Sequence, residues 1–207
     1  MEKYEFDKVN LFEFFFGYRA FPYPLIILDR FKKDASAGQV EKYQFENLMN
    51  RDKETLLSKK GVKFYAKNSL GNIMYMPVTL STDSKQVILE NTVISLSCKK
   101  TIVETPLVAR KGTVKEEISI DDWEITIKGI IIGKNFYPET EVEELKNLFE
   151  ENKALGINNV LTAMFLDDQE KVVIKSLELN DSKGMEHVQP FTMQMVSDTE
   201  FDLYIEA

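Results

Sequence analysis

The chain of 207 residues has one cysteine and one histidine, so few side chains can serve as nucleophile, neutral-pH base or soft metal ligand. Cys98 ends the alternating run VISLSC and reads as a small core thiol. With no second cysteine an intrachain disulfide is impossible, which suits a reducing interior. His187 lies in the turn-like GMEH and reads as a turn or surface residue. Asp167, Asp168, Asp181, Asp198 and Asp202 each sit at or beside a turn, where Asp closes local hydrogen bonds. No spacing among them marks an acid–base pair. Glu139, Glu141, Glu143 and Glu144 crowd the start of a helical pattern, where the helix dipole favours anions. No histidine or second carboxylate cluster accompanies them to make a metal site. Lys111-Gly112-Thr113 looks like a piece of a phosphate loop, but it lacks the upstream glycine and falls between strands. The expectation is a chain with no catalytic residue, no cofactor and no metal, which is not an enzyme.

Composition narrows the classes further. A net charge of −8 argues against a general nucleic-acid binder, which needs a basic footprint. Hydrophobic residues make up 43% of the chain, enough for a core and too many for wholesale disorder. The opening MEKYEFDKVN has early acidic residues and no apolar core of a signal peptide. The runs FEFFFGY and PLIIL fall short of a membrane span. Synthesis in the cytoplasm and no membrane insertion are expected.

The elements that would position these residues are mostly strands. Residues 1–35 are dense in aromatics, and Leu11, Phe14, Phe15 and Tyr18 fit helical spacing. Gly17, Pro22 and Pro24 limit that helix, and 25–28 could form a short buried strand. Phe14, Phe15, Phe16 and Tyr18 either cap the core or dock on a neighbouring subunit. Residues 32–68 are polar, with a weak helical pattern over 47–60 ending at Gly61. Strands are expected over 73–80, near an edge because of Pro77, and then over 87–98 and 101–108. A basic loop follows over 109–122, with Arg110, Lys111, Gly112 and Lys115. The next strand spans 123–132, with Trp123 as a packing anchor at its start. Gly129 in it marks a bulge, a bend or a close backbone approach. The far end of this strand is apolar on both faces, which implies burial.

A helix over about 138–152 is predicted from Pro138 at its start, a Thr140/Glu143 capping box, and a stripe of Val142, Leu145, Leu148 and Phe149. Residues 159–166 and 171–179 read as a strand pair, and 188–197 and 201–205 as closing strands. Charge is divided along the chain. Residues 98–115 carry five basic residues and one acidic, a net of +4. Residues 137–153 carry six acidic and two basic, a net of −4. Opposite poles on one subunit would suit head-to-tail contacts.

The order of these pieces carries a resemblance. Strands lead to a basic loop, then to WEITIKGIII, the helix segment YPETEVEELKNLFE, a strand pair and VQPFTMQMVSD. This resembles phage tail-tube and baseplate-hub proteins. It looks most like an uncharacterised family of small tail or baseplate proteins encoded in phage and prophage clusters. ETPLVARKGTVKEEISIDDWEITIKGIII and LGNIMYMPVTL carry the likeness, which covers roughly 70–207; residues 1–69 match poorly.

The resemblance implies an α+β, mainly β fold. It would be a tail-tube-like antiparallel β-sandwich or split barrel over 70–207, flanked by one main helix. Residues 1–69 would form an aromatic-rich N-terminal extension. Its partners would be further copies of itself in a ring and neighbouring tail, tube or baseplate proteins, in a virion tail or contractile injection machine. Arg110, Lys111, Gly112 and Lys115 would make an inter-subunit contact, and Trp123, Gly129, Leu145 and Phe149 would anchor packing. Two other readings compete: a β-barrel module holding a small ligand or glycan, and an enzyme with scattered carboxylates. On the assembly reading, reversing Arg110, Lys111 and Lys115 to Glu blocks association in sizing runs and leaves the circular dichroism of the monomer unchanged; unaltered association would remove the loop from the interface.

Overall fold

The computed structural model of the protein describes residues 8–18, 56–67, 73–83, 85–109, 111–133, 136–151, 153–166 and 171–198. Expectations for 25–28, 47–55 and 201–205 lie outside these residues, as does Arg110. The described chain is mainly β, built of several antiparallel sheets with few helices, and the sheets do not close into a barrel.

At the centre is β8 (Glu124–Ile132), paired antiparallel with β11 (Val188–Asp198) on one side and β5 (Thr92–Ser97) on the other. β10 (Lys171–Leu179) flanks β11, giving a four-stranded sheet in the order β10-β11-β8-β5. A second sheet has the order β4-β3-β9, with β4 (Gln86–Leu89), β3 (Val78–Ser81) and β9 (Gly156–Asn158). The two sheets share one core. Val78, Leu80, Val87 and Leu89 meet Ile125, Ile127, Phe191, Met193 and Met195, all buried. Leu145 and Leu148 of helix α2 (Glu139–Glu150) complete it. Leu155 bridges to Val172 and links the strands of one sheet to the other.

Alternation along β8 and β11 fixes which residues face this core, since successive side chains in a strand point to opposite faces. Phe191, Met193 and Met195 share the inward face, as their spacing predicts. The doubly apolar far end of β8 also has a structural counterpart. On its outer face Ile130, with Val188, packs against Leu11 and Phe12 of helix α1 (Lys8–Phe16), all four buried. At the domain boundary expected between residues 69 and 70, β1 (Tyr65–Lys67) pairs with β2 (Ile73–Tyr75) across it.

Gly129 is where backbone crowding is greatest. A Cβ there would lie 2.6 Å from the Phe191 ring and 2.6 Å from the Thr92 methyl, so the sheet takes a glycine and folds the Phe191 ring over it. Of the readings left open for this residue, the structure shows the close approach.

Several local expectations are corrected. The strand expected over 87–98 is two strands in different sheets. Asn91 sits between them at φ 53°, a left-handed conformation Asn tolerates better than most residues, and its side-chain amide donates to the Ile130 carbonyl at 3.2 Å. The strand expected over 73–80 breaks at Met76 and Pro77, and β3, beyond the break, is central to its sheet rather than an edge. Residues 159–166 contain helix α3 (Val160–Phe165), because Asn159 and Thr162 form a reciprocal capping box. The box expected at Thr140/Glu143 is absent: Pro138 takes the cap position of α2, which leaves Thr140 inside the helix. Residues 56–60 are no helix end. Leu57 bridges to Lys63 around a turn closed by the Val62 amide donating to Ser58 Oγ at 3.0 Å. Cys98 is half-buried at the edge of the sheet instead of in the core.

Because the Gly129 contact involves a ring and a methyl on two different strands, relief by one rotamer change is unavailable. Gly129→Ala is expected to destabilise the fold by about 1–3 kcal/mol, read as a lower urea midpoint with an unchanged m-value.

Candidate functional site

The most exposed secondary structure is a hairpin between β5 and β8. β6 (Lys100–Pro106, 7 residues) pairs with β7 (Thr113–Ile120, 8 residues), and every residue of both strands is exposed. The loop expected over 109–122 is therefore mostly strand. This arm is closed at its base by the Asp121 amide donating to the Lys99 carbonyl at 2.9 Å, and by Thr101 Oγ1 donating to Asp121 Oδ1 at 2.9 Å. Cys98 Sγ donates to the Asp121 carbonyl at 3.1 Å, so the thiol reinforces the base of the arm.

The register gives the arm two unlike faces, because directly paired residues share a side. One face carries Ile102 with Glu117 and Glu104 with Lys115. Its charges are paired within the arm: Lys100 Nζ lies 3.0 Å from Glu117 and Lys115 Nζ 3.5 Å from Glu104. The other face carries Val103 with Glu116 and Val114 with Thr105, and has no such ladder. The register slips between Thr101 and Ile102, which leaves Ile118 unpaired and exposed at a bulge. At the tip, Val108 is 96% exposed, Ala109 and Gly112 turn at positive φ, and Lys111 has no ion-pair partner among the described residues.

By sequence Arg110, Lys111, Gly112 and Lys115 form one basic loop, of which Arg110 lies outside the described residues. The structure puts Lys111 and Gly112 at the tip and Lys115 within β7, its charge already engaged by Glu104. The arm was legible only in part. Residues 101–108 read as a strand, but Lys115, Glu116 and Glu117 mask the β-branched Val114, Ile118 and Ile120 that make 113–120 a strand as well.

The other end of β8 is acidic. Phe136 is 82% exposed there, and α2 begins three residues later with Glu139, Glu141 and Glu143 exposed. The start of α2 is pinned by Tyr137 Oη, which donates to Gln189 Oε1 at 2.7 Å. Gln189 is itself buried, its amide donating to the carbonyls of Asn180 at 2.7 Å and Pro190 at 2.8 Å. Glu144 pairs with Lys85 at 2.6 Å. Asp83 and Lys153 form an exposed pair at 2.6 Å, which lowers the carboxyl pKa and raises that of the amine through their hydrogen bond and mutual charge.

The remaining expected residues fall into two groups. Trp123 is partly buried at the start of β8 beside Phe165, ring centroids 5.2 Å apart, and its amide donates to Ser197 Oγ at 2.9 Å. Leu145 is in the core, while Phe149 is 43% exposed, one residue past Leu148 and turned away from the buried stripe. In α1, Phe15 and Phe16 are half-buried against their own sheet, and Phe14 and Tyr18 stay exposed. Lys183 Nζ lies 4.4 Å from the Phe14 ring centre and donates to the Phe14 carbonyl at 2.6 Å. Lys128 Nζ lies 5.5 Å from the Tyr18 ring centre, and partial burial raises the Tyr18 pKa. Among the described residues no three of His, Cys, Asp or Glu gather as a metal site would require. What this surface offers chemically is unpaired strand edges, exposed apolar side chains and two poles of opposite charge.

The family described as a domain of unknown function (DUF6046) matches residues 87–207, more than half of the chain and all of the arm, β8 and α2. No curated protein matches the sequence. Among solved structures, the tail of an empty GTA particle with C6 symmetry is similar at a TM-score of 0.40 and 14% identity, covering 68% of this chain and 100% of that one. The SPP1 Dit protein, described as a paradigm of the hub adsorption apparatus in phages infecting Gram-positive bacteria, gives 0.38 and 12%, over 57% of this chain and 49% of that one. A chain in the virion of a native gene transfer agent particle gives 0.35 and 12%, over 65% and 96%.

Since the arm joins the other described residues at its base, replacing residues 101–119 by a short Asn-Gly turn is expected to leave the unfolding free energy from urea titration within about 0.5 kcal/mol of the parent, the usual range for changes away from buried features. Among the described lysines, trypsin should cut first at the tip, beside Lys111, as mass spectrometry of the fragments would show.

Proposed function

The chain belongs to the DUF6046 family, and we propose that it is a structural subunit of a phage tail or related contractile injection machine, a tube-like adaptor or baseplate hub subunit that assembles into a ring. The observation that carries this reading is the arm. A two-stranded hairpin is marginal in water on its own. This one leaves both strands exposed and projects Val103, Val114, Ile118 and Val108 into solvent. Such a feature invites association, because unpaired edges and apolar faces are what strands add to in assemblies. β5 and β10 are the outer strands of the main sheet and offer further edges. The resemblance of residues 70–207 to tail-tube and hub proteins supports the same role and names the kind of machine. In this reading the chain is no enzyme, and its partners are copies of itself and adjoining tail proteins. The alternative of a ligand-holding barrel has less support, since the sheets do not close around an interior.

Light scattering and negative-stain imaging test it, on protein purified alone and co-expressed with the products of adjoining genes. A closed ring, or a subunit found only within a larger particle, is the expected result. A monomer at all concentrations, indifferent to its neighbours, would overturn it.

A further inference from the structure

The two ends of β8 carry complementary surfaces, and no contact among the described residues brings them together. The arm joins the body just before β8, through the Asp121 to Lys99 bond. The acidic pole follows β8, fixed by the Gly133 amide donating to the His187 carbonyl and by Tyr137 bonded to Gln189. A strand of 9 residues separates them, roughly 30 Å at about 3.3 Å per residue. The arm is exposed along both strands, so it does not fold back over that distance. One surface offers an apolar, basic tip in Val108 and Lys111; the other offers exposed Phe136 beside Glu139, Glu141 and Glu143. Neither Lys111 nor these three glutamates has an ion-pair partner among the described residues.

We propose that the arm tip of one copy seats on the acidic pole of a second copy, with Val108 against Phe136 and Lys111 facing Glu139, Glu141 and Glu143. This deepens the assembly reading above and rests on it. Charge selects the pairing: two tips repel, two acidic poles repel, and only tip to pole is attractive. The contact is heterologous, so a joined pair still has one free tip on one copy and one free pole on the other. It therefore propagates until a ring closes or copies stack along the direction of β8.

Crosslinking between singly labelled copies tests the contact directly. In a Cys98→Ser background, one copy carries Val108→Cys and the other Phe136→Cys. The two are mixed, treated with a short bismaleimide and resolved by mass. The expected product is the mixed dimer, in excess over either homodimer. Lys111→Glu in the Val108→Cys copy should cut its yield several-fold, and Glu139→Lys, Glu141→Lys and Glu143→Lys in the other copy should restore it. Homodimers alone, or no crosslink, would overturn the proposal, as would a mixed dimer indifferent to both sets of reversals. A ring in negative stain without the mixed crosslink would sink this contact and leave the assembly reading standing. The mixed crosslink in an open stack without a closed ring would uphold the contact and overturn the ring; a mixed pair that never grows would overturn the contact as a propagating one.

Discussion

β8 lies between two antiparallel partners and is covered on both faces, and most of the described architecture follows from that placement. Its inward residues Ile125 and Ile127 are fully buried and require a second layer, which β3, β4 and α2 supply through Val78, Leu80, Leu89, Leu145 and Leu148. Its outward Ile130 requires another cover, which α1 supplies through Leu11 and Phe12. Gly129 sits where both demands meet, with the Phe191 ring and the Thr92 methyl closing over it from the two flanking strands. A central strand buried in this way cannot slip by one residue without turning a buried set toward solvent, so the register of the sheet is firmly specified.

The arm obeys the opposite logic. Its strands bury nothing in the body, and its stability comes from the backbone ladder, two exposed ion pairs and the bonds at its base. Exposed pairs of this kind contribute little energy, on the order of a few tenths of a kcal/mol each. They do set which face carries the paired charges. Val103, Val114, Ile118 and Ile120 lie exposed along this one hairpin, while the strands of the two main sheets pack around a shared core.

Electrostatics are distributed to match. Along the sequence the basic and acidic stretches flank β8 and are only some twenty residues apart. In the fold they sit at opposite ends of the strand, because a strand separates its neighbours by its full length. Glu104 engages Lys115 and Lys85 engages Glu144, while Lys111 at the tip and Glu139, Glu141 and Glu143 at the start of α2 have no ion-pair partner among the described residues.

Much of this was legible in the sequence, for a physical reason. Alternation of apolar residues reports which side of a strand is buried whatever the partner, so the inward faces of β8 and β11 and the mainly β class follow from local pattern alone, while of the stripe expected on α2 Leu145 and Leu148 are buried and Phe149 is not. The twofold apolar end of β8 was visible in the same way, whereas Gly129 left a bulge, a bend and a close approach open until the Phe191 ring was found over it. What the sequence left undecided depended on contacts between distant segments. Asn91 and Met76 turn at positive φ and divide apparently continuous strands between sheets, and only the packing of those sheets shows that a turn is required there. Residues 160–165 read as extended until the Asn159 side chain both caps α3 and donates to the Met76 and Pro77 carbonyls, 2.8 and 3.0 Å away. The arm is the plainest instance. Composition showed its charge, but only pairing of β7 with β6, across a tip where Ala109 and Gly112 turn at positive φ, made a basic loop into a projecting, two-faced hairpin, because a strand exists only when its backbone groups find a partner.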